Sequence, residues 1–254
     1  MSSFRITANG TTVALGLLVA VGALFTGEVQ AQDLPVPESV AISVRGGLLN
    51  LDGDGQLFDM MRNELTFGRS DLQAPAWSLE ASVGFAGPVP LNLLLGWESS
   101  RFDVATRGRG SAVDGPAQEF NLDLERNLFA GVRIDVARDV RREDSTIDGP
   151  NATWRETAFF VTLGGGWKRA RIVQEGVFPD GRDLEPFSAV FQGTGSTGYV
   201  FGGVGLELSL SSRLSLLFDA RYQGGSAYVD GALAGFERVD LSGLTISTGL
   251  LHRW

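Results

Sequence analysis

The stretch YVFGGVGLELSLSSRLSLLFDARY, residues 199–222, decides the fold. Val200, Val204, Leu206, Leu208 and Leu210 stand at one parity, and Gly203, Gly205, Glu207 and Ser209 at the other. After Ser211, Ser212 and Arg213 the pattern restarts: Leu214, Leu216, Phe218, Ala220 and Tyr222 against Ser215, Asp219 and Arg221. Successive side chains of a strand point to opposite faces, so a period of two marks strands with two unlike faces. Two such runs joined by a short polar gap read as a hairpin.

The same alternation extends outward in both directions. Trp77, Leu79, Ala81, Val83 and Phe85 oppose Ser78, Glu80, Ser82 and Gly84. Leu128, Ala130, Val132, Ile134 and Val136 oppose Gly131, Arg133 and Asp135, with Phe129 out of pattern. Shorter versions run through Val40, Ile42 and Val44, then Leu91 to Trp97, Phe159 to Trp167, and Leu244 to Trp254. The sum is eight strands, and no convincing helical period appears after Ser39. Connections alternate in length. Residues 87–90 and 211–213 are tight turns, whereas 52–74, 107–121, 174–197 and 223–237 are long and rich in Gly, Asp and Arg. Residues 138–153 break the alternation and read as an irregular insertion.

Alternation alone does not say which face meets water. In a soluble barrel the apolar face points inward; in a membrane barrel it points to lipid. Three details select the membrane. Glycine crowds the polar face (Gly47, Gly84, Gly96, Gly131, Gly164, Gly166, Gly203, Gly205), which suits a narrow interior better than a water-exposed strand. Aromatic residues collect near strand ends: Trp154 and Trp254 on one side, Trp77, Trp97, Trp167, Tyr199 and Tyr222 on the other. Two such girdles are what membrane interfaces select. The chain also ends inside its last strand, on Trp254.

The N-terminus agrees. Arg5 precedes an apolar run over residues 13–25, followed by Val29-Gln30-Ala31 with small or aliphatic residues at the −3 and −1 positions. This is the layout of a cleaved secretory signal over 1–31, too short for a transmembrane helix. Residues 32–38 then read as an extended linker around Pro35 and Pro37, and 39–254 as the barrel domain. The absence of Cys excludes disulfides and thiolate metal sites, and a net charge of −9 disfavours nucleic acid as a partner.

The last strand, with Leu244, Ile246, Leu250, His252 and Trp254 at alternate positions, resembles the C-terminal assembly signal of bacterial outer-membrane barrels. His252 stands where an aromatic is usual. Residues 158–167 and 199–222 resemble the later hairpins of small OmpA-like and OmpX-like barrels. The resemblance implies an all-β, closed antiparallel up-and-down transmembrane β-barrel in the bacterial outer membrane. It also implies delivery by periplasmic chaperones and insertion by the barrel-assembly machinery.

The inward parity carries charges of both signs: Arg45, Arg133, Lys168 and Arg221 against Glu80, Glu98, Asp135, Glu207 and Asp219. Unpaired charges in so narrow a barrel are costly, so an ion-pair network plugging the lumen is expected. No catalytic, cofactor or metal site is selected. A lipid-modifying enzyme would need a base at the outer rim, and the single histidine, His252, lies at the opposite end. The expected role is envelope structure or surface interaction through the long loops. The alternative is a narrow channel for small or apolar solutes, as in OmpW-like barrels. Outer-membrane lipid and lipopolysaccharide are the expected surroundings, with Arg101, Arg107 and Arg109 near the second loop suited to phosphate. Apolar loop residues 57–61, Val177, Phe178, Pro186 and Phe187 are suited to packing over the mouth or to touching a partner. Three look-alike motifs carry nothing: Gly193 to Gly198 lacks the helix a dinucleotide fingerprint requires, Asp52 to Gly55 misplaces the calcium-loop glycine, and the Asn151 sequon is irrelevant to a bacterial protein.

Overall fold

The computed structural model describes residues 37–86, 90–107, 117–142, 154–179, 186–236 and 238–254. The signal segment, most of the linker, Arg109, the centre of the 138–153 connection and the Asn151 sequon lie outside them.

Eight strands close into a barrel: β1 (Pro37–Leu51), β2 (Gln73–Phe85), β3 (Leu91–Arg107), β4 (Ala117–Arg142), β5 (Trp154–Pro179), β6 (Pro186–Ser209), β7 (Leu214–Gly224) and β8 (Gly243–Arg253). Each pairs antiparallel with its chain neighbour, and β1 pairs with β8 from Ala41↔Arg253 to Leu51↔Gly243 to shut the ring. Closure removes every sheet edge within the barrel, as backbone placed in lipid requires. β1 starts at Pro37, two residues inside the segment expected to be linker.

The connections differ from the sequence reading. The first five residues of the 138–153 insertion, 138–142, are strand, because β4 and β5 run on as a ribbon to the pair Arg142↔Trp154. At the opposite end, the loop end, β3 and β4 remain paired to Arg107↔Ala117, and β5 and β6 to Pro179↔Pro186. The described parts of two expected loops, 117–121 and 174–179 with 186–197, are therefore hairpin arms. Together β3 to β6 stand above the other four strands as a tall wall. The Gly193 to Gly198 stretch is plain strand within that wall, paired with β5.

Elements from the low side lean against the inner face of the wall. Helix α1 (Gln56–Glu64) occupies the first connection, where no helix was expected. Gly53 and Gly55, at φ 64° and 108°, turn the chain into it through backbone conformations that side chains disfavour. Arg62 holds the entry by donating to the Gly53 carbonyl at 2.8 Å and to Asp59 at 2.7 Å. The last connection folds into a two-stranded ribbon, residues 226–227 against 239–240, and Val229 bridges to Gly195 of β6.

Candidate functional site

The exterior changes character along the strands. Toward the turn end, large apolar side chains face out: Ile42, Val44, Leu79, Leu95, Leu128, Phe159, Leu163, Val204 and Ile246 are all exposed. Trp77, Trp97, Trp167 and Tyr222 edge this band toward the loop end, and Trp254 edges it at the other. A run of nine or ten residues at ~3.4 Å each, tilted ~40°, spans roughly 25 Å, the height of an outer-membrane hydrocarbon band. Above the aromatic row the same outward faces carry Arg101, Asp103, Glu119, Glu125, Arg169, Arg171 and Glu175. A surface apolar over one height and charged above it is built for lipid below and water above. Leu163→Arg, in the middle of the band, should cost about 2–4 kcal/mol in urea unfolding of the refolded barrel. Glu175→Arg, on the same face of β5 above the girdle, should stay within about 0.5 kcal/mol. Equal effects would refute the lipid-facing assignment.

The interior inverts this order. At the loop end it is apolar. Leu57, Phe58 and Met61 of α1 are buried against Phe102, Phe120, Leu122, Leu124 and Ile172 of the wall, with Val229, Leu233 and Leu241 from the last connection. Phe58 stacks on Phe67 at 6.4 Å, and both meet Phe120 edge to face at 6.5 and 5.8 Å. Residues 57–61 thus pack over the mouth. Phe187, by contrast, is exposed on the β6 arm.

Below that core the lumen is charged, and all nine inward charges are buried. Seven of them form two ion-paired groups. In the middle, Arg45 pairs with Glu80 and with Asp219 at 2.9 Å, while Arg221 reaches Glu80 at 3.3 Å and Asp219 at 3.4 Å. Ser247 donates a further hydrogen bond to Asp219. Nearer the turn end, Arg133 pairs with Glu207 at 2.5 Å and Asp135 at 2.8 Å. Arg253 joins Glu207 at 3.0 Å, and Arg138 bridges Asp135 at 3.4 Å to Glu156 at 2.5 Å. Sequence parity does not disclose Arg138, Glu156 and Arg253. The first group is neutral as it stands, two against two, and their inclusion makes the second neutral, three against three.

Lys168 and Glu98 make no ion pair with either group, although Glu98 lines one small cavity with Arg45, Asp219 and Arg221. Lys168 Nζ donates to the Leu241 carbonyl at 3.0 Å and lies 4.5 Å from the centre of the Tyr199 ring. It ties the last connection to the wall instead of joining an ion pair. Glu98 Oε1 has no partner, and neither does Ser100 Oγ or either amide atom of Asn127. Seven of the nine expected charges make ion pairs within 4 Å, and Glu98 and Lys168 are buried beside them without one.

Tyr199 needs correcting as well. It points into the lumen, 6% exposed, and not into a girdle. Phe129, Phe160 and Phe201 are inward too, with guanidiniums stacked on them: Arg133 lies 4.0 Å from the Phe160 centre and Arg221 4.7 Å from that of Phe201. These rings explain five of the eight interior glycines, Gly96, Gly131, Gly164, Gly166 and Gly205. A Cβ on Gly96 would sit 2.2 Å from the Phe129 ring, and one on Gly205 2.2 Å from Phe160. The glycines make room for aromatic rings, so the lumen is filled by rings and ion pairs together. The side chain of Trp154 lies outside the described residues. His252 is exposed beside Trp254, with ring centroids 4.6 Å apart, on the lipid-facing parity with Leu244, Ile246 and Leu250. Asp52, of the calcium look-alike, accepts the Tyr222 hydroxyl at 2.6 Å, and no metal-binding cluster occurs among the described residues.

No family model and no curated protein matches this chain. Among solved structures it is similar to Ail, the attachment invasion locus protein of Yersinia pestis, at 13% identity and TM-score 0.39, covering 86% of this chain and 100% of that one. It is also similar to Neisserial surface protein A, at 12% identity and TM-score 0.34, covering 85% and 97%. A major outer membrane protein of Thermus thermophilus follows at 12% identity and TM-score 0.36, covering 85% and 99%. These are likenesses of shape alone.

Proposed function

We propose that the chain is an exported, non-enzymatic integral outer-membrane protein with a closed lumen, acting at the cell surface through its loop end. The observation that carries this reading is the stacking inside the barrel. Two neutral ion-pair groups fill the membrane-height lumen, and an apolar core of α1, the last connection and the wall seals it above. Side chains paired across the lumen occupy the space a path would need, and an apolar seal offers water nothing to bond. The wall, α1 and the last connection are then what the outside meets, with lipopolysaccharide and lipid around the base. Chaperone delivery and assembly through the Leu244 to Trp254 strand belong to the same proposal.

Planar-bilayer recording of the refolded protein tests it. The expected result is a silent bilayer. Steady single-channel steps that disappear on changing Arg133 or Glu207 would replace the plugged barrel with a narrow channel. Expression should also leave the mass of lipid A unchanged; a new mass would establish an enzyme.

A further inference from the structure

The last connection lies across the lumen as a strap, described at residues 225–236 and 238–242. Its Ala227, Val229, Leu233, Val239 and Leu241 are buried in the apolar core at the mouth. Near its middle, the Asp230 amide donates to the Thr194 carbonyl of β6 at 2.9 Å. Toward its end, Lys168 of β5 reaches across and donates to the Leu241 carbonyl at 3.0 Å.

Lys168 is poorly served in that position. Its side chain is completely buried, and an ammonium has three donors to satisfy. Among the described residues it meets the face of Tyr199 and a single acceptor, which is neutral. Two carboxylates attract it, Glu98 on the barrel foremost and Asp240 on the strap, but it forms an ion pair with neither.

A second position lies close by. Glu98 and Asn127 are partners in register across β3 and β4. Asn127 and Lys168 each stand one residue to the loop side of the Leu128↔Trp167 pair, and both are turned inward. Carboxylate, amide and ammonium therefore lie in a row on the lumen face, neighbours separated by about one strand spacing of ~4.8 Å. Asn127 is completely buried with both amide atoms unpartnered, and Glu98 Oε1 is unpartnered beside it. An amide accepts at one end and donates at the other. With the ammonium on Asn127 Oδ1 and the amide nitrogen donating to Glu98 Oε1, all three atoms gain a partner at once. Lys168 does not reach Asn127 Oδ1 while it holds Leu241, so the two positions exclude each other.

We propose that Lys168 is a latch with two seats, the Leu241 carbonyl of the strap and an Asn127–Glu98 relay on the barrel, and that its move from the first to the second frees the strap to lift from the wall. Burial of the strap's apolar side chains favours the first seat. A charge-assisted chain in place of unpartnered buried atoms favours the second. Elements balanced in this way switch between two arrangements instead of yielding continuously. The released strap turns Val229, Leu233 and Leu241 out of the core, while the ion-pair groups beneath stay in place. The inference rests on the closed-lumen reading above for the direction in which the strap faces.

Amide hydrogen exchange at Asp230, followed by NMR on the refolded full chain in detergent micelles, tests it. Asn127→Leu removes the relay and should slow this exchange about tenfold, the worth of about one hydrogen bond to a charged group. Lys168→Met removes the latch and should quicken it about tenfold. Glu98→Gln keeps an acceptor without its charge and should fall between the unaltered protein and Asn127→Leu. The amides that pair β4 with β5 should not change in any of them. Unchanged or faster exchange in Asn127→Leu removes the second seat, and unchanged exchange in Lys168→Met removes the first; either overturns the proposal. Equal changes in the β4–β5 amides would report a general change in stability and overturn it as well. Heat-modifiable gel mobility checks the fold of each variant, and Asn127→Leu decides alone where Lys168→Met does not fold. The bilayer recording described above judges the closed lumen separately.

Discussion

Arg45→Met should lower the stability of the refolded barrel by about 3–5 kcal/mol, the usual cost of stranding a buried charge. Arg45 is 4% exposed and holds both Glu80 and Asp219. Without it, two buried carboxylates share Arg221, whose contacts are the longer ones at 3.3 and 3.4 Å. The urea midpoint of the heat-modifiable form in detergent micelles measures the loss. Adding Glu80→Gln restores neutrality and should recover most of it, because a well-packed neutral group replaces a charge at little cost. The rescue separates charge from lost volume, which the second change does not restore. A single variant within about 1 kcal/mol of the parent would mean that water already solvates these carboxylates, and the closed lumen would fail with it.

Phe58→Ala should cost about 3–5 kcal/mol, the range for truncating a fully buried aromatic. Phe58 is 0% exposed and touches both Phe67 and Phe120, so its removal opens a cavity between α1 and the wall. The damage should be local. Protease should cut within residues 52–72, while the membrane band keeps its heat-modifiable mobility. Met60→Ala, at the half-buried edge of the same helix, should cost about 1 kcal/mol. An unchanged unfolding midpoint and protease pattern for Phe58→Ala would show that α1 does not seat in the mouth.

The barrel is legible because two-faced strands write their period into the chain. Parity alone puts Arg45, Glu80, Arg133 and Asp219 on the inward face. Parity does not reveal what fills a lumen, so it passes over Phe160 and Leu217 and turns Tyr199 the wrong way. It also slips at bulges. The irregularity between Asp135 and Ala137 returns Arg138 to the charge network from a segment that reads as connection. The wall does leave a period in the sequence, but a misleading one. Phe120, Leu122 and Leu124 alternate with Glu119, Asn121 and Asp123 in the sense of a soluble strand, apolar inward and charged outward. Helix α1 leaves too faint a trace: nine residues with three buried side chains barely complete a period. The outward cluster of Asp123, Arg171 and Gln192 needs three strands at once, since the three line one hollow only across β4, β5 and β6.

The aromatic row at Trp97 and Trp167 also fixes a waterline. Below it the outward face of β5 holds Leu163, and above it the same face holds Arg169 and Arg171. A barrel that settled one pleat deeper would sink Arg169 and Glu125 toward hydrocarbon; one that rose by the same step would wet the Leu163 belt. Both displacements are penalised, so the protein carries its own gauge of membrane thickness. Bilayers must thin or thicken to meet it, at fractions of a kcal/mol per ångström of mismatch. Lipids whose chains already match that depth should gather around the barrel, which makes the strand an instrument for sorting its own surroundings.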